Sequence, residues 1–454
     1  MRFRSLLAGA AALTAALACA MPARAAETGV NETLGQKMPT GATAARLGAG
    51  WVRMWASWEA TQPSRGQYAG HVVAGLNRAV ADLEARGLKV LMVVHRTPAW
   101  ASGGAGGVAA PSDPATFGAF MGGLARRVPG VDAWELWNEP DSAAFFSGTP
   151  GQYAAMLRAA YPAIKAAQPQ DVVVTGGANG NDMDFIAALY DHGARGSFDA
   201  VGVHTDTACL TNGPWRYYRD ARGRIGRFTF SAYREVHAVM TDRGDGAKPI
   251  WMTEIGWSTE SRRPRSCDVG EKAGKKRLGV SPKRQARFLT AAYRCVAADP
   301  FVGVALWFGL QDMRRRGGYG LYRRGGRAKP AARAFRRLRR GVAPRRRCGG
   351  AVDRTAPTIR VRQPRAGHRF AGKLSVRVRA WDNRGGSGIG RIMLAADGEH
   401  VRSWGGSGGS IDPWWATADW TPGPHTLTFD VRDYANNEAT LTVPVVKVRR
   451  SSKR

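Results

Sequence analysis

The chain has 454 residues, too many for one ordinary hydrophobic core and suited to two or three domains. Its 67 Lys and Arg outweigh 35 Asp and Glu, and the resulting net charge of +32 raises a nucleic-acid or anionic-surface partner. A hydrophobic content of 44% with 57 Gly and 24 Pro excludes a disordered polycation and fits a folded, loop-rich protein.

Arg2 and Arg4 precede an apolar run from Leu6 to Ala18, and Ala23-Arg24-Ala25 has the small-x-small form of a cleavage site. Residues 1–25 are therefore expected to be an export signal. The run is shorter than the roughly 20 residues that span a bilayer, and no second run of that length follows, so no transmembrane segment is expected after removal of the signal. Cys19 in Ala16-Leu17-Ala18-Cys19 is a poor lipobox and leaves lipid anchoring as the alternative to simple secretion. Four cysteines remain: Cys209, Cys267, Cys295 and Cys348. An even count in an exported protein reads as two disulfides, and no short C-x-x-C spacing supports a zinc site. Of the three pairings, position along the chain favours Cys209 with Cys267 and Cys295 with Cys348.

From about Thr28 to Asp312, short apolar runs alternate with helix-like segments, as in repeated βα units. The eight runs are residues 28–31, 51–55, 89–95, 133–139, 172–176, 200–204, 249–254 and 302–307, which predict a closed (β/α)8 TIM barrel over residues 26–340. Asp113-Pro114 and Ser281-Pro282 read as helix starts, with a capping side chain before proline at the first helical position. Leu76, Val80 and Leu83 recur at helical spacing before Gly87, a helix stop. Between Arg314 and Arg347 lie fifteen Lys or Arg and no acid, and Ala331, Phe335 and Leu338 mark a last amphipathic helix within that stretch. Residues 341–352 read as a basic linker. Residues 353–454 change to period-two alternation between Gly, Pro, Asp and Asn turns, which predicts an all-β immunoglobulin-like sandwich.

Two segments carry chemistry. Trp134-Glu-Leu-Trp-Asn-Glu-Pro140 ends the fourth run, where the carboxyl ends of barrel strands hold active sites, so Asn138 and Glu139 are expected at the mouth. Glu135 has the same parity as Glu139 and is expected deeper, in the packed wall. Ile250-Trp-Met-Thr-Glu254 closes the seventh run, where an ionised group is costly without a partner or a task. Two glutamates three units apart can converge across one mouth, the geometry of a retaining glycosidase, whose carboxyl groups stand about 5 to 5.5 Å apart.

These motifs, with Val52-Arg53, Trp58-Glu59, Thr97-Pro-Ala-Trp100, Asp199-Ala-Val-Gly-Val-His204, Trp307-Phe-Gly-Leu310 and Tyr319-Gly-Leu321, give the chain its likeness. Residues 28–335 resemble the retaining glycoside hydrolases of clan A, most like family 39 with family 5 close behind. The resemblance implies Glu139 as general acid/base and Glu254 as nucleophile. It places Asn138 on the sugar 2-hydroxyl and Arg53 beside Glu254, with His95 and His204 as polar wall residues. His204 is oriented toward Glu139 or Glu254, and Trp307 is the stacking floor. Trp55, Trp100, Trp137 and Trp257 divide between packing and sugar stacking. No metal or redox cofactor is implied, since two carboxylates and water suffice. The family often has Tyr two positions after the sixth-strand histidine, where this chain reads His204-Thr205-Asp206. Tyr217 or Tyr218 replaces that phenol, or Asp206 marks a different subsite.

The carboxy-terminal segment resembles bacterial immunoglobulin-like modules in Thr355-Ala-Pro-Thr358, Gly423-Pro-His-Thr-Leu427 and Asp433-Tyr-Ala-Asn-Asn437. It serves as a spacer or surface attachment, or binds carbohydrate through Trp404, Trp414, Trp415 or Trp420. The implied whole is a secreted, cell-wall-associated retaining β-glycoside hydrolase acting on a polysaccharide or oligosaccharide. The alternative is a non-catalytic polysaccharide-binding wall protein on the same barrel. A specific nucleic-acid partner is not expected, because most of the charge lies outside the barrel: +15 falls in 314–347 and +8 in 353–454, leaving +6 on residues 26–313. That basic excess points instead to anionic cell-envelope polymers.

Overall fold

The computed structural model describes residues 26–33, 36–206, 213–217, 219–220, 222–260, 279–313, 317–343, 355–383, 389–405, 408–417, 419–433 and 437–449. The expected signal, Cys209, Cys267, Cys348, Tyr218 and most of the linker lie outside them, as do the side chains of Asp206 and Trp414.

Eight parallel strands form the first unit: β1 (Glu27–Asn31), β2 (Trp51–Ser57), β3 (Lys89–His95), β4 (Ala133–Leu136), β5 (Val172–Thr175), β6 (Val201–Asp206), β7 (Ile250–Gly256) and β8 (Val302–Trp307). A two-residue strand, Ala178–Asn179, continues β5 and pairs with β6. Hydrogen bonding runs in order from β5 back to β1, then β8, β7 and β6. The ring closes where Val174 bridges Ala200 and the Thr175 amide donates to the Ala200 carbonyl at 3.1 Å. The TIM barrel expected from the alternating runs is thus present, with each of the eight runs supplying one strand.

The helices begin where local chemistry directs them. Asp113 Oδ1 accepts from the Ala115 amide at 2.9 Å to start α3 (Pro114–Arg127), and Ser281 Oγ accepts from the Arg284 amide at 3.2 Å to start α7 (Pro282–Val296). A reciprocal Thr149–Gln152 capping box, not anticipated from the sequence, starts α4 (Pro150–Ala167). In α2 (Gly70–Glu84), Val80 and Leu83 are buried against the barrel. The last helix, α8 (Pro330–Leu338), buries Ala331, Phe335 and Leu338 and faces its arginines outward, and Phe335 meets Tyr293 of α7 edge to face at 5.9 Å. The remaining helices are α1 (Thr40–Leu47), α5 (Met183–Asp191) and α6 (Tyr233–Asp242), with a single further turn at Trp58–Thr61. Among the described residues no helix is long and apolar enough to cross a membrane.

Inside the barrel the side chains form two tiers. Trp51, Leu91, Ala133, Val174, Trp251, Val304 and Leu306 make an apolar floor, with Trp51 and Trp251 in edge contact at 5.0 Å. One pleat further along the same strands, the inward positions turn polar: Arg53 above Trp51, Glu135 above Ala133 and Thr253 above Trp251.

The carboxy-terminal unit is a β-sandwich with its own core. A three-stranded sheet of Thr358–Gln363, Lys373–Trp381 and Gly408–Ala416 accompanies a five-stranded sheet of His368–Phe370, Glu438–Lys447, Gly423–Asp433, Ile389–Ala396 and Glu399–Gly405. Leu374, Val376, Val378, Ile392, Phe429 and Val445 fill the interior, and Trp404, Trp415 and Trp420 pack against it.

Candidate active site

Two backbone departures aim the glutamates. At the end of β4, Trp137 (φ 79°) and Glu139 (φ 44°) leave the extended region, so the strand stops at Leu136 and the turn presents Asn138 and Glu139 at the mouth. On β7, Val203 pairs with Met252 but His204 pairs with Glu254, which makes Thr253 the extra residue of a β-bulge. Met252 and Ile255 pack outward against the helices, whereas Thr253 and Glu254 both point into the barrel. Strict alternation from Trp251 would have sent Glu254 outward.

Arg53 is the hub. Fully buried, it donates from Nε and Nη2 to the two oxygens of Glu135 at 2.5 and 3.2 Å. Its Nη1 reaches Glu254 Oε1 at 2.8 Å and Asn31 Oδ1 at 2.9 Å, and Nη2 also donates to Asn138 Oδ1 at 2.9 Å. The fork of a guanidinium suits this multiple role, because a lysine could not hold two carboxylates and two amides in one plane. Glu135 Oε1 further accepts from the Gly177 amide and Thr253 Oγ1, both at 3.0 Å. It is thus a buried structural acid, in the packed wall where its parity puts it. Burial opposes the charge of Arg53, but Glu135 and Glu254 more than restore it and hold the guanidinium protonated.

His204 stands between the two mouth glutamates. Its Nδ1 is 3.0 Å from Glu139 Oε1 and 3.6 Å from Glu254 Oε2. Burial works against the imidazolium, yet the charge of Glu254 and the hydrogen bond and charge of Glu139 push it up to about 9. The fit is close: a Cβ on Gly177 would lie 2.3 Å from His204 Nε2, so only glycine leaves room for the ring. Glu139, His204 and Glu254 each bring an oxygen or nitrogen within 4.8 Å of the others. Such a trio could cradle a cation only with His204 deprotonated, so binding one would release a proton.

His95 and Trp55 line the opposite side. Their rings meet edge to face at 5.2 Å, and the Arg53 guanidinium lies 4.7 Å from the Trp55 ring. Burial, followed by the charges of Arg96 and Arg53, lowers His95 to about 4, so its ring is neutral at ordinary pH. Trp55 is half-buried and offers a ring at the mouth.

Trp307 departs from expectation. It is fully buried, its indole N–H donates to the Tyr319 carbonyl at 3.0 Å, and its ring lies 6.2 Å from that of Trp257 in the core. A ring enclosed on all sides has no free face for a sugar, which corrects the stacking floor expected of Trp307, whereas Trp55 is half-buried. Trp137 and Trp257 are likewise buried packing residues, whereas Trp100 is half-buried. The sequence reading missed Asn31 and Thr253. Asn31 ends the strand beside that of Arg53 and Thr253 immediately precedes Glu254 on its own strand, and an inward polar residue directly above an apolar floor was the available signal.

A family model described as cellulase (glycosyl hydrolase family 5) matches residues 22–269, a span that contains Arg53, Asn138, Glu139, His204 and Glu254. Among solved structures, a family 39 glycoside hydrolase from the gut symbiont Bacteroides cellulosilyticus WH2 is similar with a TM-score of 0.57 and 18% identity, over 86% of this chain and 79% of that one. A glucosidase from Croceicoccus marinus has a TM-score of 0.51 and 15% identity, over 85% of this chain and 92% of that one. GH5_18 from Streptomyces cattleya, in complex with GlcNAc, has a TM-score of 0.50 and 18% identity, over 77% of this chain and 85% of that one. At these identities the likeness is one of fold. No curated protein matches the sequence. With more than half of its length matched by that family model and the paired glutamates at the mouth of its barrel, the chain belongs to glycosyl hydrolase family 5.

Proposed function

We propose that the protein is an exported, retaining β-glycoside hydrolase that cleaves O-glycosidic bonds of an extracellular or cell-wall polysaccharide by double displacement. The observation that carries this reading is the approach of Glu139 and Glu254 to within 4.8 Å, with Arg53 bonded to Glu254 alone of the two. Carboxylate oxygens that close to one another favour direct attack by a glutamate over attack by an intervening water, for which the carboxyl groups stand about 6.5 to 9.5 Å apart.

Glu254, held ionised by Arg53, attacks the anomeric carbon while Glu139 gives its proton to the leaving oxygen. The glycosyl ester on Glu254 is then attacked by water, whose proton passes to Glu139, and both carboxyl groups return to their starting state. Asn138, fixed by Arg53, is placed to hold the sugar 2-hydroxyl, and the Trp55 ring supports the sugar face. His204 lies within hydrogen-bond distance of Glu139, so loss of the catalytic proton as the pH rises, the alkaline limb of the activity profile, is coupled to the charge on His204.

Export is supported by the amino-terminal signal pattern, and the even number of cysteines that remains after it is proposed to form two disulfides. The proposed partner of Cys295 is Cys348, which leaves Cys209 with Cys267. The sandwich is proposed to be an immunoglobulin-like module, and the basic excess to hold the enzyme at the wall.

The test is release of reducing sugar by the mature protein from a panel of aryl glycosides and polysaccharides. Release of sugar from polysaccharide should be abolished in both Glu139→Ala and Glu254→Ala to within the sensitivity of a reducing-sugar assay. Wild-type activity in either variant would overturn the assignment, and no turnover on any substrate would favour the non-catalytic binding protein. A 2-fluoro glycoside should label Glu254, and a label elsewhere would remove its role as nucleophile.

A further inference from the structure

A groove of about 630 Å³ runs between α7 and α8 on the outer wall of the barrel. Arg287 and Arg294 project into it from α7, Arg333 and Arg337 from α8, and Trp215 and Ala334 contribute apolar surface. Arg333 and Arg337 also line a second cleft, of about 240 Å³, together with Arg336, Arg339 and Arg340. The two depressions share Arg333 and Arg337 in their walls, and no acidic residue lines either of them.

None of these seven arginines has a carboxylate within 4.0 Å among the described residues. Arg294 bonds only the Ala343 carbonyl, at 3.3 Å. The contrast with the rest of the barrel surface is sharp, since Arg86, Arg224, Arg234 and Arg243 are each paired with an aspartate. Seven exposed guanidinium groups held together by two packed helices repel one another, and neither Phe335 nor the other buried residues of α8 need them for packing. A ligand with regularly spaced negative charge would relieve that repulsion.

We propose that this groove is a second polysaccharide-binding site, distinct from the catalytic mouth, and that its ligand is an acidic glycan bearing uronate carboxylates. The guanidinium forks accept carboxylate and phosphate alike in two parallel hydrogen bonds, and one feature favours a uronate over a bare phosphate chain. The Trp215 ring, half-buried and fixed edge-on against Phe288 at 5.3 Å, supplies an apolar face among the charges, where a pyranose ring can stack and a polyphosphate cannot. The proposal deepens the reading of the protein as a wall-directed glycoside hydrolase, but it does not depend on the glutamates.

The experiment is affinity electrophoresis of the mature protein through gels containing polygalacturonate, polyphosphate or a neutral β-glucan. Polygalacturonate should retard it most. The variant R287E/R294E/R333E/R337E should bind roughly tenfold more weakly, from four contacts of modest size acting together. The same number of reversals on the sandwich, R360E/R362E/R365E/R369E, should leave binding near wild type. Trp215→Ala, which changes no charge, should lower retention on polygalacturonate and leave that on polyphosphate unchanged. A thermal melt of each variant separates lost binding from lost folding. Equal losses in the two charge-reversal variants, or a preference for polyphosphate that ignores Trp215, would overturn the proposal. Inactivity on every glycoside with binding intact would instead count against the catalytic reading alone.

Discussion

The floor and the mouth of the barrel interior are built by the same strands, two residues apart, and they solve opposite problems. Trp51, Trp251 and their neighbours fill the floor by shape, without a polar group to satisfy. Arg53, Glu135 and Thr253, one pleat higher, are equally enclosed but must pair every charge. In the floor, burial itself stabilises the fold, at about 25 cal/mol per Å² of apolar surface. In the mouth, burial costs free energy that pairing only offsets, and the excess is tolerated because a polar, pre-aligned cavity is what acid/base chemistry uses.

That contrast can be broken in several ways. The largest effect is expected from Glu254→Ala, which should lower turnover by about 10^4-fold or more while leaving the melting temperature close to wild type. A large loss of stability instead would mean that the nucleophile is structural. Glu139→Ala should lower turnover by about 10²- to 10⁴-fold on substrates with poor leaving groups, and much less in the first step on activated aryl glycosides, which need no acid. Steady-state and burst kinetics on the two substrate types distinguish these outcomes. The floor should behave inversely. Trp251→Ala should cost about 3 to 5 kcal/mol in denaturant unfolding, with turnover per folded molecule little changed. Arg53→Met tests the boundary between tiers. Leaving Glu135 and Glu254 buried and uncompensated should cost about 3 to 5 kcal/mol and activity together.

The smallest effects come from pH. His204 is raised to about 9 from an unfolded value near 6.5, so its contribution to stability is complete below pH 6.5 and is lost as the pH rises through about 9. His95 is lowered to about 4, so its contribution is present above pH 6.5 and disappears as the pH falls through about 4. Unfolding free energies measured across this range should decline at both ends. His204→Gln should flatten the alkaline limb only, and a change confined to the acid limb would contradict the assignment.

Much of this was legible in the sequence for a physical reason. The apolar runs that become barrel strands are short and bounded by turns, and both mouth glutamates end such runs, where an acid is conspicuous. Glu135 was placed in the wall by parity alone. Its partner was not readable, because parity says that a side chain points inward but not which residue faces it across the barrel. Glu254 shows the opposite limit. The bulge at Thr253 inverts the alternation, and no residue type in Met252-Thr253-Glu254 announces it. Trp307 was misread since an aromatic at a strand end serves the site or the core equally well by sequence. In the sandwich, Glu399–Gly405 and Gly408–Ala416 are too charged or too glycine-rich to read as strands, and their neighbours pull them into the sheets.

The position of His204 between Glu139 and Glu254 has a consequence for the charge of the site. With Arg53 and His204 positive and Glu135 and Glu254 negative, the cluster is neutral when Glu139 carries its proton. In the proposed double displacement, Glu254 loses its negative charge as the glycosyl ester forms, at the moment Glu139 acquires one. The sum is unchanged, and the same imidazolium, 3.6 Å from one carboxylate and 3.0 Å from the other, serves as counter-ion to each in turn. Both halves of the reaction then proceed without net charge entering or leaving the interior, and the protein around the site has no new field to which it must adjust.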